Sequence, residues 1–410
     1  MERYSSYKPT YMQGFEEIPS HWNCIPVKRV CSMKSGNNIT SLDILDEGPY
    51  PVFGANGMRG YYNRYNVDGD YLLIGRQGAL SGNVHHYNGK FWATDHALIT
   101  YVRREDINYV YYALIAINLN QYAFGTAAQP GLAASKIMAL SIPLPPLAEQ
   151  EKIVSYLEDK TSKIDAYVAD KEKEIELLQE LKQKTIADAV TKGLNPDAKM
   201  KDSGISWIGE IPEHWVQYRF ATLFKEKSIC NHVNEELLSV YLDRGVIRFS
   251  EDNNKRTNPT SKDLSKYQLV DIGDFVLNNQ QAWRGSVGVS RYRGIISPAY
   301  FIFEMSSKLN PLYANYLLRS TSCVAYYYIC SKGIGSIQRN LDWSSLKQKK
   351  LAIPPLNEQQ SIVAYIEEKC EKIDKLASEL QSEIDYLKEY KQRLIADCVT
   401  GQINVQNEMI

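Results

Sequence analysis

The chain has 410 residues, which is too many for one compact core and suits two or three domains. Its composition, 44% hydrophobic and 23% charged, excludes a disordered or fibrous chain and indicates a globular one. The net charge of −1 does not exclude a nucleic-acid partner, because residues 193–353 carry 21 basic against 15 acidic side chains and the remainder is acidic.

The N-terminal segment contains no apolar core of signal-peptide length, and the longest tight apolar run, residues 109–117, is about half as long as a membrane span. We therefore expect a cytoplasmic protein. The seven Cys form no CxxC pair, and the six His form no HxxxH pair. This pattern predicts reduced thiols and no metal site.

The first 144 residues are predicted to form a mixed α/β module. The segment EIPSHW opens this module at residues 17–22. Apolar runs at 71–74 and 98–102, bounded by Gly and Asp, are typical of strands, and residues 109–118 suit a short buried helix.

A long helix is predicted directly after this module. Pro145 and Pro146 block helix upstream and are followed by about 45 residues without Gly or Pro. Apolar residues recur in this segment with a period of 3.5, which is typical of a coiled-coil seam. The main apolar positions of this seam are Leu157, Ile164, Val168, Ile175 and Leu178.

The rest of the chain repeats the same plan. EIPEHW opens a second module at 210–215, with strands predicted at 275–277 and 300–303 and a short helix at 312–320. Residues 354–400 then align without a gap on 145–191, with 24 of 47 positions identical. The repeat predicts four parts, which are a first module at 1–144, a central helix at 145–194, a second module at 195–353 and a C-terminal helix with its tail at 354–410.

The two predicted helices share one seam pattern. Lys182 and Lys391 fall at matching a positions, where a charge costs stability but fixes register. We expect the helices to pair with each other as an antiparallel coiled coil, which gives the chain an internal pseudo-two-fold symmetry. Two separate surface helices would explain the charge of these segments but not their matched seams. The seam of the second copy contains Ile366, Ile373, Leu380, Ile384, Leu387 and Leu394.

The sequence contains no catalytic motif. The patterns GxxxxGK[ST] and GxSxG are absent, and GIGSIQ at 333–338 lacks the third Gly of a dinucleotide fingerprint. Residues 297–301 superficially resemble the loop with which amino-group methyltransferases grip a flipped base. The second Pro of that loop is missing, so we interpret the segment as a strand edge. The sequence therefore predicts a non-catalytic protein.

Polar loop residues in both modules are candidates for DNA contacts. Arg suits guanine and Asn or Gln suits adenine in the major groove, whereas Lys and Gly-rich loop amides suit phosphate. Each residue alone is typical of a solvated loop, but the set recurs at matching places in both halves. The candidates are Asn56, Arg59, Arg76, Gln77 and Gln129 in the first module, and Asn279, Gln280, Gln281, Trp283, Arg284, Lys332, Gln338 and Arg339 in the second.

Several of these segments together resemble the specificity subunits of type I restriction-modification systems. They are PPLAEQ and PPLNEQ at the helix starts, IGEIPEHW, GTAAQPGL and WRGSVGVS with GIISPAY, and the resemblance covers nearly the whole chain. It implies a prokaryotic subunit with two target-recognition domains, each reading one half of a bipartite, asymmetric site in double-stranded DNA. The helices would then set the spacer and dock two DNA adenine methyltransferase subunits.

The resemblance also implies where the cofactors lie. S-adenosylmethionine is expected in the modification subunits, and ATP and Mg²⁺ in restriction subunits that can join the complex, with none in this chain. GRQGALSGNV in the first module differs from NNQQAWRGSVGV in the second, which fits two different half-sites.

A coiled-coil adaptor whose end modules bind protein or glycan is the competing hypothesis. The basic second module favours DNA, whereas the near-neutral first module does not. The two hypotheses differ in salt dependence, because neutralising phosphates makes affinity for DNA fall steeply with salt.

Overall fold

The structure is a computed structural model that describes residues 2–10, 12, 15–78, 80–123, 131–205, 207–242, 244–251, 263–334 and 338–407. It contains two compact units. Unit 1 comprises Met1–Lys173 together with Leu380–Ile410, and unit 2 comprises Glu174–Glu379. Each unit therefore holds one predicted module with parts of both predicted helices.

The secondary structure is mixed α/β, as the sequence predicts. The strands are β1 (Tyr7–Pro9), β2 (Glu17–Pro19), β3 (Asn23–Pro26), β4 (Cys31–Ser35), β5 (Tyr50–Gly54), β6 (Gly57–Tyr62), β7 (Val67–Gly75), β8 (Val84–Ala93), β9 (Ala97–Val102), β10 (Ser141–Leu144), β11 (Met200–Asp202), β12 (Glu210–Pro212), β13 (Val216–Arg219), β14 (Phe224–Lys227), β15 (Leu238–Tyr241), β16 (Gly245–Arg248), β17 (Gln268–Val270), β18 (Phe275–Asn278), β19 (Val287–Val289), β20 (Gly294–Ile296), β21 (Tyr300–Met305), β22 (Ser331–Ile334), β23 (Gln338–Leu341) and β24 (Lys350–Ile353). The helices are α1 (Val27–Val30), α2 (Ile107–Ala116), α3 (Ala134–Ala139), α4 (Leu147–Lys192), α5 (Phe220–Leu223), α6 (Pro311–Arg319), α7 (Thr321–Ile329), α8 (Trp343–Leu346) and α9 (Leu356–Val399). Short 3-10 turns occur at Ser41–Asp43, Leu119–Tyr122, Phe249–Glu251 and Ala282–Arg284.

The first module is built on a six-stranded sheet in the order β4-β9-β7-β8-β5-β6. The predicted strands at 71–74 and 98–102 are its central strands β7 and β9, which pair antiparallel with Leu73 opposite Ile99. The last part of β7, Leu72–Gly75, is buried without alternation, because both faces of the sheet are covered there. The predicted helix at 109–118 is confirmed as α2, which contributes Tyr109 and Leu114 to the core.

The second module is built on a four-stranded sheet in the order β14-β21-β18-β19. The predicted strands at 275–277 and 300–303 are β18 and β21, which pair antiparallel with Leu277 opposite Phe301. Residues 297–299 precede β21, which confirms the strand-edge interpretation of that segment. The predicted helix at 312–320 is α6, and Asn310 caps it by accepting hydrogen bonds from the backbone N–H groups of Leu312 and Tyr313.

The two long helices are confirmed. The helix α4 begins directly after Pro145-Pro146 and α9 directly after Pro354-Pro355. The glycines that follow, Gly193 and Gly401, have φ values of +75° and +73°, a left-handed conformation that commonly ends a helix.

The helices pack antiparallel within each unit. In unit 1, Lys391 Nζ lies 2.7 Å from Asp165 Oδ1, whereas Lys171 Nζ lies 3.6 Å from Glu383 Oε2, so α4 and α9 run in opposite directions. In unit 2, Lys182 Nζ lies 2.6 Å from Asp374 Oδ1. Every apolar seam residue predicted from the heptads is buried or half-buried.

At the ends of the long helices, residues outside the heptad seam are also buried. Ile153 and Ile395 lie outside the a and d positions, yet both are buried in the core of unit 1. Tyr109 Oη in this core donates to the carbonyl of Val399 at 3.2 Å, and Tyr313 Oη in unit 2 donates to the carbonyl of Val190 at 3.2 Å. Each core therefore contains the start of one long helix and the end of the other.

The repeated EIPxHW segments hold the modules to the helix starts. Trp22 Nε1 donates to Glu149 Oε2 at 3.0 Å, and Trp215 Nε1 donates to Glu358 Oε1 at 3.0 Å. Glu149 and Glu358 are the glutamates of PPLAEQ and PPLNEQ. The two repeated segments of the sequence therefore contact each other in both halves of the fold.

Candidate nucleic-acid interface

Most candidate residues of both modules follow the same core strand. Arg76 and Gln77 come directly after β7, and Asn279 to Arg284 come directly after β18. Each of these strands pairs antiparallel with the strand that follows, β8 or β19, with Leu73 opposite His85 and Leu277 opposite Val287. The connections between these paired strands therefore carry most of the candidates.

In the first module the turn between β5 and β6 lies beside the end of β7. A Cβ atom on Gly75 would lie 2.0 Å from the carbonyl oxygen of Ala55, so only glycine permits this close approach. The next residue, Asn56, is exposed, and its Oδ1 accepts a hydrogen bond from Asn83 Nδ2 at 3.1 Å. The fold thus brings Asn56 next to the segment that carries Arg76.

The Arg76 side chain is held against the sheet. Its Nη1 atom lies 3.2 Å from Ser35 Oγ, and its backbone N–H donates to the carbonyl of His96 at 3.0 Å. Gln77 is exposed and forms an isolated antiparallel bridge with Gly131. Arg59, on β6, is exposed as well. Gln129 lies outside the described residues.

His85 lies on β8 beside the turn between β5 and β6, and no motif in the sequence singled it out. Its ring packs against Gly57, and its Nε2 atom is buried without a hydrogen-bond partner among the described residues. Burial lowers the pKa of His85 below its ordinary value, so the ring is neutral at neutral pH. The only sequence signal is the pair His85-His86, which is not specific.

In the second module the segment after β18 meets the β22–β23 hairpin. Asn279 Oδ1 accepts a hydrogen bond from the backbone N–H of Leu341 at 2.9 Å, so this oxygen holds the hairpin in place. Gln280 is exposed, and its carbonyl accepts a hydrogen bond from Trp283 Nε1 at 3.0 Å. Gln281 is half-buried, and its carbonyl accepts the N–H of Arg284 at 3.0 Å.

A row of rings and cations links these two segments. The Arg284 guanidinium lies 5.7 Å from the Trp283 ring centroid, and the Arg339 guanidinium lies 4.1 Å from that of Tyr328. The Trp283 and Tyr328 centroids are 6.3 Å apart. Lys332 is exposed, with its Nζ 3.6 Å from Asp342 Oδ2. The side chain of Gln338 lies outside the described part of the structure.

Tyr328 is a second residue that the sequence analysis missed. It lies in the run Tyr326-Tyr327-Tyr328 on α7, where the first two rings are buried and the third is 51% exposed. A helix turns about 100° per residue, so three consecutive rings cannot all face the core. The sequence could have signalled that one ring is exposed, but not which one.

Within the described ranges, no group of three or more His, Cys, Asp or Glu side chains is placed to hold a metal ion. No helix among the same residues is long and apolar enough to cross a membrane.

The two α/β modules thus share a core sheet and differ in the polar connections that follow it. The family model described as "Type I restriction modification DNA specificity domain" matches residues 19–177 and 222–386, which is well over half of the chain. The chain therefore belongs to the family of type I restriction-modification DNA specificity domains. The resemblance found in the sequence is confirmed, and the family is defined by DNA specificity rather than by catalysis.

Two curated relatives agree with this assignment. The chain is 41% identical over 162 residues to the type I restriction enzyme EcoprrI specificity subunit of Escherichia coli, covering 38% of this chain and 40% of that subunit. It is 28% identical over 289 residues to the type I restriction enzyme MjaVIII specificity subunit of Methanocaldococcus jannaschii, covering 65% of this chain and 63% of that subunit. The chain thus matches less than two thirds of the length of each relative.

A solved structure shows the same fold. A chain from a study of complex assembly and conformational transition in the type I R-M system superposes with a TM-score of 0.63, covering 94% of this chain and 99% of that chain at 14% identity. At this identity the likeness concerns the fold alone.

Proposed function

We propose that this chain is the DNA-reading specificity subunit of a type I restriction-modification complex, in which each module reads one half of a bipartite, asymmetric site. One observation carries the proposal. Both modules present polar side chains where the same core strand ends, but the residues differ, with Arg76-Gln77 in one and Gln280-Gln281 in the other. A shared framework with different donors and acceptors suits two different half-sites.

The charge distribution favours a partner that helps to grip the DNA. The excess of basic side chains is confined to the second module, since residues 1–140 carry 12 basic and 11 acidic side chains. Non-specific affinity for DNA depends on the number of phosphates that cations neutralise. We expect the chain alone to bind DNA weakly and the complete complex to bind it tightly.

The proposed partners are two copies of a DNA adenine methyltransferase subunit that dock on the helices. Exposed residues that are identical in both helix copies support a duplicated surface, because the copies differ at about half of their positions. Leu147 and Leu356 are 48% and 47% exposed, and Lys163 and Lys372 are exposed with matching ion pairs four residues away. S-adenosylmethionine would be held by these subunits, and ATP and Mg²⁺ by any restriction subunits that join.

Changing the two sets of candidates separately tests the reading of half-sites. The chain is expressed with its methyltransferase in cells, and the methylated sequences are mapped across the genome. We expect the pair Arg76→Ala and Gln77→Ala to relax one half-site, and Gln280→Ala with Arg284→Ala to relax the other. Each lost bidentate contact should cost about 1–3 kcal/mol of discrimination.

DNA binding by the purified complex, titrated over salt, is measured beside the methylation map, and two outcomes would contradict the proposal. If Arg284→Ala weakened binding equally on all sequences, this residue would contact phosphate rather than a base. If the complex methylated no defined sequence and bound DNA without steep salt dependence, the adaptor hypothesis would replace DNA reading.

The helices are proposed to set the distance between the half-sites. A heptad inserted near Ile175 in α4 and near Ile384 in α9 preserves the seam and adds about 10.5 Å. This length corresponds to roughly three base pairs at about 3.4 Å each. We expect methylation of unchanged half-sites with a longer gap, or none, because three pairs also rotate one half-site by about a third of a turn.

The control for the spacer test is the same insertion in α4 alone, which breaks the pairing of the seam. Full methylation at the original spacing by the double insertion would show that the helices do not measure the DNA.

A further inference from the structure

The exposed ring of Tyr328 is the least expected feature of the second module. Tyr326 and Tyr327, its neighbours on α7, are buried, and their hydroxyl groups donate to the carbonyls of Lys350 and Leu318, both at 2.9 Å. These two bonds fix the helix against the core. Tyr328 is thereby held at the surface, and its position does not depend on its own burial.

The Arg339 guanidinium lies over this ring. Its central carbon is 4.1 Å from the ring centroid, which is a close cation–π contact. Arg339 lies on β23 opposite Gly333 of β22, and its Nε atom is buried. The terminal nitrogens are therefore the part of the guanidinium that can meet a partner outside the module.

The other cations of this face are held less firmly. Arg284 is exposed and lies 5.7 Å from the Trp283 ring, a weaker contact than that of Arg339. The Lys332 side chain is 87% exposed, and its ammonium, 3.6 Å from Asp342 Oδ2, is a point charge without a planar fork. A preordered planar fork loses less entropy on binding than a free side chain does.

We propose that Arg339 reads a guanine in the half-site of the second module and that Tyr328 is the residue that positions its guanidinium. This rests on the proposed function in DNA reading. Guanine presents O6 and N7 as two neighbouring acceptors in the major groove, which the two outer nitrogens of an arginine match. Stacking on Tyr328 fixes the plane of the fork and so favours this geometry over a looser contact with phosphate.

The experiment selects binding sites from a randomised double-stranded DNA library with the full chain assembled with its methyltransferase subunit. Base preference is measured by sequencing the bound fraction. We expect Arg339→Ala to lower the preference for guanine at one position about tenfold or more. Arg339→Lys should lose most of it too, since lysine cannot bond both acceptors as a planar fork.

The Tyr328 variants separate positioning from folding. Tyr328→Phe keeps the ring and should keep the preference, whereas Tyr328→Leu should lower it severalfold at the same position and nowhere else. Lys332→Ala is the matched control, which should weaken binding equally on all sequences. Thermal unfolding of each variant establishes that it is folded. If Arg339→Ala does not fold, the base preference of Arg339→Lys tests the role of Arg339 instead.

Three results are decisive. If Arg339→Ala and Arg339→Lys leave every base preference unchanged while the unaltered complex still selects a sequence, the assignment of Arg339 is wrong. If Tyr328→Leu weakens binding equally at all positions, Tyr328 has a structural role only. If the unaltered complex selects no sequence at all, the proposed function itself fails.

Discussion

The two modules share a core and differ at its edge. The sheet order β4-β9-β7-β8 in the first module corresponds to β14-β21-β18-β19 in the second. In the first module β5 adds to this sheet by pairing parallel with β8, with Val52 opposite Trp92. In the second module no such strand joins the sheet among the described residues, and β15, β16 and β17 before β18, with β20 after β19, form the separate two-stranded sheets β15–β16 and β17–β20. These differences lie in strands beyond the shared core.

The contacts between module and helix differ far less. In unit 1 the buried amide of Gln150 donates to the carbonyl of Pro145 at 2.9 Å, and in unit 2 that of Gln359 donates to the carbonyl of Pro354 at 2.9 Å. The same amides accept the N–H groups of Asp106 and Asn310, the caps of α2 and α6. The attachment has been retained in both copies while the edge that carries the candidate DNA contacts has changed, which is the pattern expected when one scaffold presents two readouts.

The largest expected effect tests whether the contacts that attach each module to the start of a long helix are equivalent in the two units. Trp22 and Trp215 are fully buried, and each bonds the glutamate at a helix start. We expect Trp22→Ala and Trp215→Ala each to lower the free energy of unfolding by about 3–5 kcal/mol. Hydrogen exchange followed by mass spectrometry should place the loss in unit 1 for the first variant and in unit 2 for the second.

Trp207→Ala is the control for these variants, because Trp207 is exposed and should cost much less. Loss of protection throughout both units after either buried substitution would show that the attachments do not act separately.

A smaller effect should expose a difference between the two attachments. The Gln150 amide also donates to the Glu105 carboxylate at 2.9 Å, whereas the Gln359 amide donates to the backbone carbonyl of Lys308 at 2.8 Å. Gln150→Glu would place two carboxylates together, which Gln359→Glu does not. We expect both variants to be destabilised, because each leaves a buried backbone carbonyl without its donor, at a cost of about 1–3 kcal/mol. Gln150→Glu should cost about 1 kcal/mol more, because its carboxylate faces that of Glu105.

Urea unfolding at neutral pH measures this difference. The corresponding Gln→Leu variants are the control, because without a carboxylate they should cost similar amounts in both units. Equal losses for the two Gln→Glu variants would mean that Glu105 has no part in the attachment.

The sequence predicted the parts of this fold that depend on local patterns. Both long helices follow from the Pro-Pro boundaries and the seams, and β7, β9, β18 and β21 follow from apolar runs. The secondary structure of these segments is indicated by the apolar period or the composition of a few neighbouring residues. The repeat itself predicted that the two halves have the same plan.

The rest depends on contacts between distant residues. The close approach of Ala55 to Gly75 brings Asn56 next to the segment that carries Arg76, and no local sequence pattern predicts this approach. Tyr328 could not be separated from its buried neighbours until the packing of α7 was known. The heptads did not indicate that Ile153 and Ile395 are buried, because that burial comes from the module around each helix end and not from the seam.

The smallest expected effect concerns the ion pairs between the helices. Lys182 with Asp374 and Lys391 with Asp165 occupy equivalent positions in the repeat, and the two aspartates are 61% and 60% exposed. Water screens such pairs, so double-mutant cycles with Lys→Met and Asp→Asn should give coupling energies below about 1 kcal/mol, equal within error in both units. Their role is to favour one register, because a shift by one heptad would remove both lysines from their aspartates. We expect the coupling to fall in 1 M salt while the helix content stays unchanged, as followed by circular dichroism. A coupling energy of several kcal/mol in one unit alone would show that the two ion pairs are not equivalent, although they occupy matching positions in the repeat.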